Sequence, residues 1–312
     1  MFNRLSRRQF VKMTGGFVVG TAAAGSFTLI PEKTQAAVIS SISSNYRPAL
    51  AHNPSQNGPL YVAWTTSKGE LDYAFSTNPN DANSWTISPR GIGGGPVHPA
   101  LTFFNNQLYI AFTDSSKQLR LGYLENNGFN FDPVSNLPRV TSAHGPALSF
   151  HLGQLYIAWT GTNGQLNIIS SANPSKGNWN QSPYPLSEFS KYGPALATYN
   201  NRIWLAWSGR DGQLNSRSGI DINDADLYRG KKTTYKDLSV DAPALATLNK
   251  SLYLAWKGTN SYLNYVPISG SGYTVTKYSQ TSQHGPALDN YKGSLYLAWA
   301  GTDNQLIRVT QL

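Results

Sequence analysis

The sequence predicts an all-β fold, a six-bladed β-propeller with four-stranded blades and a ring closed by the N-terminal strand. Three observations carry this. First, a phrase recurs six times: Pro-Ala-Leu, a short turn, Leu-Tyr-aliphatic-Ala-Trp with small variations, then a polar hairpin. Its prolines are Pro48, Pro99, Pro146, Pro194, Pro243 and Pro286, in steps of 51, 47, 48, 49 and 43 residues. Second, the aromatic that ends the phrase keeps step at Trp64, Phe112, Trp159, Trp207, Trp256 and Trp299. A period of 40–50 residues with strand-and-turn punctuation is how a propeller looks in sequence. Third, the ends are complementary. The sixth repeat stops after its third strand at Ile307–Leu312, and Val38–Ser43 stands where a fourth strand would precede Pro48.

The elements follow in chain order. Ser6-Arg7-Arg8-Gln9-Phe10-Val11-Lys12 precedes an apolar run from Gly15 to Leu29, and Thr34-Gln35-Ala36 offers small residues for cleavage after Ala36. Residues 1–36 therefore resemble a twin-arginine export signal, which implies a periplasmic or secreted protein that folds before it crosses the membrane. The apolar run is shorter than the roughly 20 residues that span a bilayer, so membrane insertion is not expected. The single propeller domain is then 37–312. In the third repeat Pro146–His151 reads as a first strand, Leu152-Gly153 as a turn and Gln154–Trp159 as a second strand. Asn163-Gly164 reads as a two-residue hairpin, Gln165–Ser170 as a third strand, and a fourth is expected near Ser182–Ser187. Asp211-Gly212 and Asp303-Asn304 mark the same hairpin in repeats four and six. Leu-Tyr-aliphatic-Ala-Trp is apolar on both faces, as a strand between two blades must be, so the repeated aromatics read as inter-blade core.

Composition narrows the function. The chain has no cysteine, which excludes disulfides, thiolate metal sites and thiol nucleophiles. Of the net charge of +9, the leader accounts for +4, through Arg4, Arg7, Arg8, Lys12 and Lys33 against Glu32. The remaining positive charge is scattered, with Lys231-Lys232 the densest pair, so no nucleic-acid partner is expected. No cofactor or metal is expected either. Asp221-Ile-Asn-Asp224-Ala-Asp226 has oxygen donors but not the grammar of a calcium loop, and reads as a solvated acidic turn.

In an up-and-down blade the hairpin between strands two and three shares a face with the link to the next blade. Two polar sets recur there. One precedes the proline: Tyr46, His144, Tyr192, Asp241 and His284, with His98 one place later in blade two. The other lies in the hairpins: Asn163 and Gln165, Asp211 and Gln213, Asn260, Asp303 and Gln305. These residue types hydrogen-bond sugar hydroxyls and offer apolar ring faces. They also make turns and cap strands, and that account stands beside the binding one.

Between the third and fourth strands, Ser76-Thr-Asn78-Pro79 runs on to Trp85, and Ser171-Ala-Asn173-Pro174 runs on to Trp179. This resembles the Asp box of sialidase-like propellers, with Asn in place of Asp and a longer loop. The whole repeat array resembles bacterial secreted propellers of the sialidase-like and lectin-like kind, and six-bladed fucose-binding lectins share its size and blade count. The resemblance implies a monomeric binding module for glycans or a cell-surface protein. A sialidase-like glycoside hydrolase and a protein-interaction scaffold are the alternatives. Glycoside hydrolysis uses two facing carboxyls. The hairpin-face candidates are Glu70, Asp114, Asp211 and Asp303, and three of these hold equivalent repeat positions. No catalytic residues are therefore assigned, and the expected reading is a non-catalytic carbohydrate-binding module.

Overall fold

The structure, a computed structural model, describes residues 36–312 except 55–57, 93–96, 126–127, 131–139, 182–185, 271–272 and 304. The proposed export signal, residues 1–36, lies outside the described residues apart from Ala36. Among the described residues no helix is long and apolar enough to cross a membrane.

Six four-stranded antiparallel sheets form the blades of a propeller. Five are contiguous in sequence. The sixth adds Ala37–Ser43 as its outermost strand, paired antiparallel to Leu306–Gln311 with Ala37 opposite Val309. This is the closure that the complementary chain ends predict.

Blade three shows the repeat. Its strands are Ala147–His151, Gln154–Thr160, Leu166–Asn173 and Asn178–Gln181. The first two are joined by a tight turn at Leu152 and Gly153, both at positive φ (45° and 70°), the geometry that fits the twist of a two-residue hairpin. The Asn163-Gly164 hairpin differs from expectation. Gly161 accepts from the Gly164 amide and donates to the Gln165 carbonyl, each at 2.8 Å, with Gly164 at φ 84°. The loop thus has three residues, a type I turn followed by a left-handed residue, and not two. Asn163 serves the turn itself, since its Oδ1 accepts from the Gln165 amide at 3.0 Å. The fourth strand also lies earlier than expected. Asn178–Gln181 pairs with the third strand, and Gln165 bridges Phe189 further on; residues 182–185 of the expected strand are outside the described residues.

The repeated phrase encodes how blades pack. In every blade the alanine of Pro-Ala-Leu pairs with the alanine before the repeated aromatic: Ala49 with Ala63, Ala100 with Ala111, Ala147 with Ala158, Ala195 with Ala206, Ala244 with Ala255 and Ala287 with Ala298. Each alanine pair shares a buried cluster with the aromatic and the Pro-Ala-Leu leucine of the next blade. Ala147 and Ala158, for instance, cluster with Trp207 and Leu196. Blade six does the same with Trp64 and Leu50 of blade one. The six aromatics are 0–5% exposed. Small side chains on one blade make room for a large one on its neighbour, and the resulting dense packing holds the ring without cross-links.

The innermost strands are also tied to one another on the face that carries the first turns. Thr198 donates to the Phe150 carbonyl at 2.5 Å, Thr247 to Thr198 at 2.7 Å and Asn290 to Thr247 at 2.7 Å. His52 and Asp289, 2.9 Å apart, join blade one to blade six.

In the two serine-led loops Ser76 Oγ and Ser171 Oγ accept from the amides of Asn78 and Asn173 at 2.9 and 3.1 Å. These are turn bonds. The acidic segment of blade four is likewise a local structure. Asp224 caps the one-turn helix Ala225–Arg229, accepting from the amides of Asp226 and Ile220, and Asp221 accepts from Asn223. Among the described residues no group of His, Asp and Glu is placed to hold a metal ion.

Candidate functional site

The links between blades are built by a device that the sequence reading missed. Ser44, Ser142, Ser190, Ser239 and Ser282 are buried. Each amide donates to a carbonyl of the adjacent hairpin: Gln305, Lys117, Gly164, Gly212 and Ser261 respectively. Each hydroxyl lies 2.8–3.3 Å from a second-strand carbonyl. Each Oγ also accepts from the amide two residues on, which belongs to Tyr46, His144, Tyr192, Asp241 or His284, at 3.2–3.3 Å. The signal was present as Ser-x-(Tyr, His or Asp)-x-Pro, a serine turn that presents the residue two places later.

These five turns aim Tyr46, His144, Tyr192, Asp241 and His284 at the propeller axis, where blades far apart in sequence meet, and blade two adds His98, at φ 48° directly before Pro99. The Tyr46 ring lies 4.8 Å from that of His98 and 6.2 Å from that of His284, and His98 lies 6.3 Å from His284. The His144 and Tyr192 rings are 6.0 Å apart. The Asp241 carboxylate accepts from the amides of Ala242 at 2.6 Å and Gly285 at 2.9 Å, and its Oδ2 is 3.7 Å from His284 Nδ1. Approach this close needs glycine. A Cβ at Gly145 would stand 2.2 Å from the His98 carbonyl oxygen, and one at Gly285 would stand 2.3 Å from that of Ala242. Arg47 lies across the axis, only 7% exposed. Its Nη2 donates to the Pro146 carbonyl at 3.1 Å and its Nη1 to that of Pro243 at 3.3 Å, so blade one reaches blades three and five.

Burial dominates the electrostatics. It pushes His98 down to about 3, helped by the positive field of Arg47 and opposed by Asp241. It lowers His144 too, again with Asp241 opposing and Arg47 assisting. Burial raises Asp241, but His284, His98 and the two amides outweigh it and hold the carboxyl well below the usual carboxylate range. At neutral pH His98 and His144 are therefore neutral imidazoles, each with one donor and one acceptor, beside two phenols and one ionised carboxylate. That inventory suits hydroxyl groups and apolar ring faces. It contains one carboxyl group, where glycoside hydrolysis uses two.

The hairpin set behaves otherwise. Asn163, Gln165, Asp211, Gln213, Asn260, Asp303 and Gln305 are spread over four hairpins. Asp211 Oδ1 accepts from the Gln213 amide at 3.0 Å and Asn260 Oδ1 from Tyr262 at 3.3 Å. Gln165 Nε2 donates to the Leu186 carbonyl at 3.0 Å, and Asp303 pairs with Arg308. Asn163, Asp211 and Asn260 serve their own turns, and Gln165 and Asp303 are held by neighbouring groups. The structure thus gathers the first polar set and leaves the second dispersed.

No protein-family model matches the chain, and no curated protein matches its sequence. Solved structures do. A mutant of Aleuria aurantia lectin, in complex with alpha-methyl-L-fucoside, superposes with a TM-score of 0.68 at 11% identity, over 86% of this chain and 93% of that one. AofleA from Arthrobotrys oligospora gives 0.63 at 13% identity, over 86% and 83%. A protein of unknown function from Dyadobacter fermentans gives 0.64 at 9% identity, over 90% and 98%. At these identities the likeness is one of fold, and the fold it shows is the six-bladed β-propeller.

Proposed function

We propose that the protein is an exported, non-catalytic glycan-binding module that takes its ligand on the hairpin face. Tyr46, His98, His144, Tyr192, Asp241 and His284 form the centre of the site, and the hairpin residues of blades three to six contribute peripheral contacts. One observation carries this reading: five blades deliver a polar or aromatic side chain from two residues before the repeated proline, blade two delivers His98 from one residue before it, and all six converge on the axis. Turn-making alone does not call for that choice of residues, because in five blades a buried serine already makes the turn. Phenol and imidazole rings bring both an apolar face and a hydrogen-bonding edge, which is what a pyranose ring with its hydroxyls requires. The likeness to Aleuria aurantia lectin, solved with a fucoside, supports the ligand class, and the twin-arginine-like leader supports export.

The test is a glycan array probed with residues 37–312, followed by affinity measurement on any hit. The double variant His144→Ala, His284→Ala is expected to weaken binding about tenfold or more, as truncation of central contacts does. An array without hits, or a hit that the double variant binds as well, would overturn the reading.

A further inference from the structure

We propose that the axial channel is a second binding site, for a small monocarboxylate that enters from the face opposite the hairpins and is received by Arg47. The channel has a volume of about 420 Å³ and is lined by all six Pro-Ala-Leu segments together with Arg47. That size is within the range of small-molecule sites. The lining strands are the inner edges of their sheets, so one row of backbone amides and carbonyls on each is unpaired by any strand. From Pro48 to His52 the lining runs about 13 Å at the rise of an extended chain.

The two ends differ. Arg47 sits where the inner strands begin, bridging the carbonyls of Pro146 and Pro243. At the far end the side chains of Thr198, Thr247, Asn290 and the His52–Asp289 pair are already fixed by bonds between blades, so the mouth is pre-formed.

Arg47 is the distinctive feature. The residue before the proline in the other blades is His98, Gly145, Gly193, Ala242 or Gly285, so one cation stands among six equivalent positions. Its hydrogen bonds go to two neutral carbonyls, although a guanidinium has five N–H donors. Among the described residues no carboxylate lies within ion-pair distance of it, and Asp241, which acts on it from further off, is bonded to the amides of Ala242 and Gly285. A buried cation without a paired anion is costly, and an anion that completes the pair gains from the same low dielectric. The guanidinium fork matches a planar carboxylate. A single positive charge, flanked by two carbonyl oxygens and with Asp241 nearby, suits a monoanion and disfavours a dianion such as sulfate. The alanine and leucine walls then cover a short stem or ring, up to about the size of a sugar acid. This site does not depend on the glycan reading of the opposite face.

The experiment is isothermal titration calorimetry of residues 37–312 with acetate, octanoate and glucuronate, and with the methyl ester of whichever acid binds most tightly. At least one acid is expected to bind, with the ester weaker by about tenfold or more, the effect of losing a charge-assisted hydrogen-bond pair. Arg47→Gln should weaken the acid to the same degree. Thr198→Trp, which obstructs the mouth and leaves Arg47 untouched, should abolish binding. Sulfate, a dianion throughout the neutral range, should not compete. Failure of all three acids, equal affinity for the ester, or undiminished binding by Thr198→Trp would overturn the site, and competition by sulfate would overturn the monoanion assignment. Should Arg47→Gln fail to fold, the ester and Thr198→Trp decide the matter.

Discussion

His98 holds a left-handed backbone (φ 48°) directly before Pro99, with its ring packed among Tyr46, His284 and the field of Arg47. Its neutrality has a thermodynamic consequence. The native imidazole resists protonation until about pH 3, whereas an unfolded histidine takes up a proton near pH 6.5. Between those values the unfolded chain binds more protons, so stability falls as pH drops through the window. His98→Asn keeps a residue that tolerates positive φ and removes the titration. Denaturant unfolding at pH 7 and pH 5 should therefore show a larger loss for the wild type than for the variant. Equal losses would mean that His98 is not the group responsible. A reading of single residues finds His98 as a polar residue beside a proline. It does not find the burial, because the neighbours that cause it come from other blades.

At the scale of the blade, the repeated phrase was legible because buried positions constrain residue type. The two alanines, the leucine and the aromatic recur since they meet their counterparts across every inter-blade boundary. Trp207, 1% exposed and clustered with Ala147 and Ala158 of the preceding blade, fills such a boundary. Trp207→Ala should cost about 3–5 kcal/mol of unfolding free energy, the usual range for emptying so large a buried volume. A cost below 1 kcal/mol in guanidinium melts would contradict the packing account. The outer strands were less legible for the same reason. Thr233–Leu238 and Thr276–Thr281 each bury one side chain, Tyr235 and Tyr278, and one position fixes neither boundary nor register. The hairpin length was misjudged at Asn163-Gly164 because that dipeptide serves both two- and three-residue loops. The distinction lies in Gly161, whose amide and carbonyl close the wider turn.

At the scale of the whole molecule, six loops that are each about one repeat apart in sequence become near neighbours at the axis. No local reading shows this convergence. It follows from closure, and closure has a further consequence in time. Ala37 pairs with Val309, so the ring's last seam joins the first strand of the propeller to its last. The loop that this pairing closes is almost the entire domain, which makes the contact among the most non-local possible and correspondingly slow to form. Until it forms, Leu306–Gln311 is an open sheet edge, a template for pairing with another molecule. A circular permutant that joins Leu312 to Ala37 through a short linker and opens between Ser43 and Pro48 turns the seam into an ordinary hairpin. It should refold faster in stopped-flow tryptophan fluorescence and leave less aggregate at high concentration; an unchanged rate would show that some other step limits folding. A protein secured by no cysteine thus has its slowest and most exposed moment at the single place where first strand meets last.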